Sequence, residues 1–287
     1  MGTGGPGGAA RGGSIVVVTG ATLGTERKRN VSTLAYVRLT VAPYRVHMRA
    51  DRRVTAMRVL LVVAAVTYSG FPWEAAAGFP LDPSRSYLSE LAAADRPSGW
   101  LFRSLDITTG LLILAALVGA PRRPRPVGLV RGAEFALAAF AFLTIGDASS
   151  PMACASSASL DCARADAANA LGLGHQIHTV SSAGALAAIL VSAILLSVSV
   201  LRGDPRTRPR ERRLLVGVVG LLAAVTLLVS VLALASTGDG RLVDGGGVVQ
   251  RVQVLLVSMY LCAYAVIAGR RGLASVPMPH TDATSIR

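Results

Sequence analysis

Between Ile177 and Leu201 the chain contains no Asp, Glu, Lys or Arg, and between Leu214 and Thr237 the same is true. A helix rises about 1.5 Å per residue, so roughly 20 predominantly apolar residues carry it across the hydrocarbon core of a bilayer. In lipid every backbone N–H and C=O must find a partner inside the protein, and a helix provides these within one segment. Two such blocks therefore argue against a water-soluble domain and for an all-α, polytopic membrane protein. Val252 to Gly269 is shorter, is bounded by Arg251 and Arg270, and is still of spanning length.

Three earlier blocks are less pure. Val54 to Trp73 carries Arg58, Leu101 to Ala120 carries Arg103 and Asp106, and Val127 to Gly146 carries Arg131 and Glu134. The charges lie towards the helix ends, where long side chains reach the interface and burial costs least. Arg131 and Glu134 are spaced to pair on one helix face. The expectation is a bundle of six transmembrane helices over residues 54–269, with spans at about 54–73, 101–120, 127–146, 177–201, 214–237 and 252–269. The arginine distribution tests that count, because short cytoplasmic loops are enriched in Lys and Arg. With the N-terminus inside, 23 of the 29 Lys and Arg residues fall on inside segments. Those segments are the tail to Arg58, Pro121 to Arg131, Arg202 to Arg213, and the tail at 270–287. Every loop alternates in sign, so both termini are expected in the cytoplasm.

Residues 1–53 are rich in Gly, Arg and Thr without sustained periodicity and read as a disordered basic cytoplasmic tail. Their apolar run SIVVV is too short for a signal-peptide core. VVVTGATLG has the look of a nucleotide-binding turn, but ERKRN follows it where an amphipathic helix is needed. Met48 or Met57 are alternative starts that would remove most of the tail. The net charge of +13 does not imply nucleic acid: the Arg residues sit in short clusters between apolar blocks, with no interleaved aromatics to stack bases. Anionic lipid head groups at the cytoplasmic face are the expected partners of those clusters. The abundance of Arg and Ala suggests a high-GC bacterial source, hence a plasma-membrane location.

The segments expected outside are acidic and hold the residues that can carry chemistry. In the first, SYLSELAAA reads as a short interfacial helix with Ser86 or Ser89 as a cap. Ser89 and Glu90 are either a cap and a solvated acid, or groups facing the mouth of the bundle. Trp73, Trp100 and Phe102 suit interface anchors. In the second, Cys154 and Cys162 lie where disulfides persist; a bond between them would restrict the unfolded loop by roughly 2–3 kcal/mol. Cys262 reads as a small buried apolar residue.

His175 and His178 open the fourth span on one helix face, Asp147 closes the third at the same membrane level, and Asp106 begins the second. Three readings stay open for this set: a hydrogen-bonded network that caps the bundle, a zinc or catalytic site with Asp147, His175 and His178 as ligands, or a proton- or ligand-handling site. Ser181 and Ser182 either extend the stripe or pack as small residues between helices. Ser89, Glu90, Asp106 and Asp147 are the catalytic candidates.

The pattern YLSELAAADRPSGWLFRSLDITTGLL, an Asp closing the third span, and GHQIHTVSSAGAL opening the fourth resemble the bacterial membrane family catalogued as domain of unknown function 998, over about Val54 to Gly269. That resemblance implies about six spans and names no activity. A more distant likeness links Ser89, Asp147, His175 and His178 to the ceramidase and adiponectin-receptor group of membrane hydrolases, which set Ser, Asp and three His around zinc. The third His has no counterpart here, since His47 and His280 lie in the tails. The leading expectation is a non-enzymatic cell-envelope protein that organises lipid or a protein partner. A metal-dependent membrane hydrolase and a small-solute or proton-linked transporter are the alternatives.

Overall fold

A computed structural model describes residues 51–120, 128–202, 207–235 and 244–273. Residues 51–68 form the first helix, α1. It is followed by α2 (Phe71–Ala76), a 3₁₀ turn (Leu88–Ala92), α3 (Gly99–Gly119), α4 (Gly128–Ser149), α5 (Leu160–Ala167), α6 (Gly172–Leu201), α7 (Pro209–Leu234) and α8 (Gly246–Leu273). Helices α3, α4, α6, α7 and α8 are long and apolar enough to cross a membrane. The chain is an all-α, multi-pass membrane protein. α1 carries Asp51, Arg52, Arg53 and Arg58 and falls outside that set of five. The expected tail at 1–53 lies outside the described residues up to residue 50, and residues 51–53 already belong to α1.

The helix boundaries have local causes. α7 opens with Pro209 in its first turn, where the missing N–H costs nothing, and Glu211 accepts the N–H of Arg208 at 3.3 Å. Glu211 also pairs with Arg270 of α8 at 2.6 Å, which joins the two helices at that end of the bundle. α5 is capped by Ser159, whose Oγ accepts the N–H of Cys162 at 3.3 Å.

α4 packs between α3 and α6, and α7 packs against α6 and α8. Leu137, Phe140, Ile189, Leu196, Leu215, Leu222, Tyr260 and Leu261 are fully buried where these helices meet, and α1 adds Met57, Leu61, Ala64 and Ala65. Lipid tails are as apolar as leucine, so close packing and internal hydrogen bonds, not escape from water, hold such helices together. The contacts fit that rule. A Cβ at Gly110 would stand 2.7 Å from the Ala141 carbonyl oxygen, so only glycine lets α3 approach α4 this closely. Ser192 Oγ lies 2.9 Å from the Ala133 carbonyl oxygen and 2.7 Å from Tyr260 Oη, tying α6 to α4 and α8. The outward sides are bare: Val118 is 85% exposed and Leu234 87%, a surface suited to hydrocarbon and poorly suited to water.

The two long connecting segments fold over one end of the bundle. Cys154 and Cys162 form a disulfide, with Cα atoms 6.1 Å apart. Arg251, at the start of α8, clamps the first segment. Its Nε donates to Glu74 Oε2 at 2.7 Å and its Nη2 to Glu74 Oε1 at 2.5 Å. Its Nη1 donates to the carbonyls of Pro83, Ser86 and Gly247 at 2.9, 2.7 and 3.0 Å. Both charged groups are buried, which a salt bridge tolerates only with its remaining hydrogen-bonding capacity filled, as here. Gly247 makes the fit possible, because a Cβ there would come within 2.3 Å of the Ser86 carbonyl oxygen. The two segments join each other where Ala94 donates its N–H to the Met152 carbonyl at 2.8 Å.

Two local expectations are corrected. SYLSELAAA carries a short helix at Leu88–Ala92, as expected, but of 3₁₀ form, and Tyr87, not Ser86 or Ser89, precedes it. Phe102 is buried against Leu91 and Ala92 instead of anchoring at the interface, while Trp100 remains 66% exposed.

Candidate functional site

At the disulfide end, the helix termini and the folded-back segments enclose a cavity of about 630 Å³. Small-molecule sites have volumes of roughly 300–1,000 Å³, with a mostly apolar lining and a few placed polar groups. All six residues singled out as catalytic or metal candidates line it: Ser89, Glu90, Asp106, Asp147, His175 and His178. They come from the first connecting segment, α3, the end of α4 and the start of α6.

Glu90 is buried, not solvated. Its carboxylate accepts the N–H of Tyr87 at 3.1 Å, the N–H of Ser157 at 3.0 Å and the Ser157 hydroxyl at 2.5 Å. Burial raises its pKa above the ordinary glutamate value, and the Ser157 and Tyr87 donors offset part of that shift. Glu90 therefore fastens the disulfide loop onto the 3₁₀ turn.

Asp147 is held from α6. Ser182 Oγ donates to its Oδ1 at 2.7 Å, Ser181 Oγ lies 3.1 Å from the same atom, and His178 Nδ1 also stands 3.1 Å away. His175 turns elsewhere: its Nε2 lies 2.9 Å from Asp166 Oδ1, and Ser156 Oγ donates to Asp166 Oδ2 at 3.0 Å. Its Nδ1 is buried without a partner among the described residues. The three expected zinc donors thus divide between two carboxylates, and no group of three His, Cys, Asp or Glu is arranged for a metal ion among the described residues. A catalytic zinc takes three protein ligands with one position open, which this donor set does not fit.

Ser181, Ser182 and Ser156 do not stand in Ser–His–carboxylate order. Ser181 and Ser182 donate to Asp147, and Asp166 stands between Ser156 and His175. Activation needs the base beside the hydroxyl, with the carboxylate behind the base. Ser89 lines the cavity, and no His or carboxylate among the described residues is hydrogen-bonded to it.

Asp106 differs from the other acids. It borders the cavity from α3 without a hydrogen bond or ion pair to any described residue. The α3 turn it occupies is fixed by Thr109, whose Oγ1 donates to Leu105 O at 2.9 Å and meets Thr67 Oγ1 of α1 at 2.7 Å. The rings of Tyr68, Tyr87 and Phe102 complete that wall.

Several of these groups were not singled out from the sequence as members of a site. Asp166, Ser157 and Tyr87 lie in connecting segments with no periodicity to mark them. Gln250, which accepts the Leu88 N–H at 2.5 Å, and Gln253, which donates to Thr226 at 2.9 Å, had one available signal: an amide in an apolar span points towards protein rather than lipid.

No curated protein and no solved structure gives a match to the chain. A family model described as a protein of unknown function (DUF998) matches residues 61–267, more than half of the chain, which therefore belongs to that membrane protein family.

Proposed function

We propose that this protein is a non-enzymatic membrane component of the cell envelope that receives a small amphiphilic molecule in the cavity at the disulfide end of its bundle. One observation carries the reading: polar groups from four separate parts of the chain converge on a cavity of small-molecule size that also has an apolar wall. Two of its acids, Asp147 and Asp166, are matched to His and Ser, which supports a structural role for these groups. In this reading α1 is the sixth span, both termini are cytoplasmic, the cavity opens to the exterior of a plasma membrane, and the Arg clusters at the opposite end rest on anionic head groups.

The test is occupancy. Protein purified in neutral detergent and examined by native mass spectrometry should carry a small-molecule adduct. Leu105→Trp or Val229→Trp, each placing an indole in the cavity, should remove it without loss of folded protein. Wild type and both variants carrying the same adducts, or none, would contradict the proposal.

A further inference from the structure

Resting on that reading of the cavity, we infer that the bound molecule is an organic ammonium on an apolar body, and that Asp106 receives its charged end.

The argument is one of charge matching inside the cavity. Four carboxylates line it: Glu90, Asp106, Asp147 and Asp166. Glu90 has three donors from Tyr87 and Ser157, Asp147 has Ser181, Ser182 and His178, and Asp166 has Ser156 and His175. Among the described residues, Asp106 has none and no Lys or Arg lines the cavity. An acid without a donor in such a cavity either keeps its proton or ionises against a cation. A cation supplies what is missing, whereas a phosphate or carboxylate guest would sit among acids, and the histidines that line the cavity, His175 and His178, are already turned to Asp166 and Asp147.

The aromatic rings sharpen the class. Tyr68, Tyr87 and Phe102 line the same cavity, and an ammonium is attracted to the face of an aromatic ring as well as to a carboxylate. Tyr87 Oη is buried and has no hydrogen-bond partner among the described residues. Leu186, Val229 and Val254 also line the cavity and suit a hydrocarbon body better than a fully hydrated ion such as sodium. One unmatched acid, aromatic rings and apolar lining residues together favour a singly charged amine or quaternary ammonium without a phosphate.

The experiment uses the full chain in maltoside detergent, titrated calorimetrically with three probes of one shape: phenethylamine, 2-phenylethanol and 3-phenylpropanoate. Phenethylamine is expected to bind at least about tenfold more tightly than the alcohol, the scale of one charge-assisted contact, with the anion weakest. Asp106→Asn should reduce the amine to the level of the alcohol and leave the alcohol unchanged, while Asp106→Glu keeps part of the preference. Amine and alcohol binding alike to wild type would overturn the assignment, as would a preference that persists in Asp106→Asn. If both bind alike and Leu105→Trp removes both, the cavity still receives amphiphiles and only the ammonium assignment falls. If none of the three binds, the ammonium assignment also falls, and the adduct measurement decides the cavity separately. Should Asp106→Asn fail to fold, the three-probe series on wild type remains decisive.

Discussion

A side chain's chemistry in this protein follows from what its neighbours leave unsatisfied more than from its type. Glu90 and Asp106 are both acids lining one cavity, yet Glu90 is enclosed by three donors and Asp106 by none among the described residues. For Glu90 the consequence is measurable in stability. Its pKa in the fold is raised by burial, so its contribution is most favourable below the unfolded glutamate value and is lost as pH rises through the folded value. Glu90→Gln removes that titration. Melting temperatures of the two proteins compared from pH 4 to pH 8 should show wild type losing ground to Glu90→Gln as pH rises, on top of a constant offset from the altered Ser157 contact. A wild-type advantage that grows with pH would reverse the sign and show that the donors outweigh desolvation.

At the scale of elements, the helices and the segments that cover them were unequally legible. α6 and α7 were readable because a charge-free block of that length has one stable form in lipid. The covering segments depend on contacts far apart along the chain. Arg251 and Glu74 are 177 residues apart, and sequence alone marked Arg251 only as the boundary of a span. Breaking a buried pair from one side leaves a bare charge and costs about 3–5 kcal/mol. Arg251→Met should therefore lower the unfolding temperature sharply and expose the segment from Phe71 to Ala92 to protease. Adding Glu74→Gln should recover much of the loss. An Arg251→Met protein that melts like wild type would remove the clamp from the account.

For the whole molecule, orientation is the property on which the role of the cavity turns. A substituted-cysteine test in a Cys262→Ala background reads it directly, since Cys154 and Cys162 are held in a disulfide. The Arg85 side chain is 67% exposed and pairs with Asp244, itself 78% exposed, so Arg85→Cys costs little. A membrane-impermeant maleimide on intact cells should label Arg85→Cys and should label Arg123→Cys only after permeabilisation. The opposite pattern would turn the cavity towards the cytoplasm. Either result leaves the packing unchanged, because α4 between α3 and α6 does not depend on which side is out.

The sequence by itself determined the all-α, multi-pass class, the family, the disulfide pair and the grouping of Asp106, Asp147, His175 and His178 that the cavity bears out. These follow from local composition and from which residues share a level or a helix face, which lipid enforces strictly. Tertiary structure alone decided the partners. His175 meets Asp166 because the disulfide loop turns back over α6, Phe102 is buried because the 3₁₀ turn covers it, and Asp106 is left facing open space because the donors went to the other three acids. Hydrogen bonds are directional and short, so which donor reaches which carboxylate depends on contacts that no periodicity along the chain records.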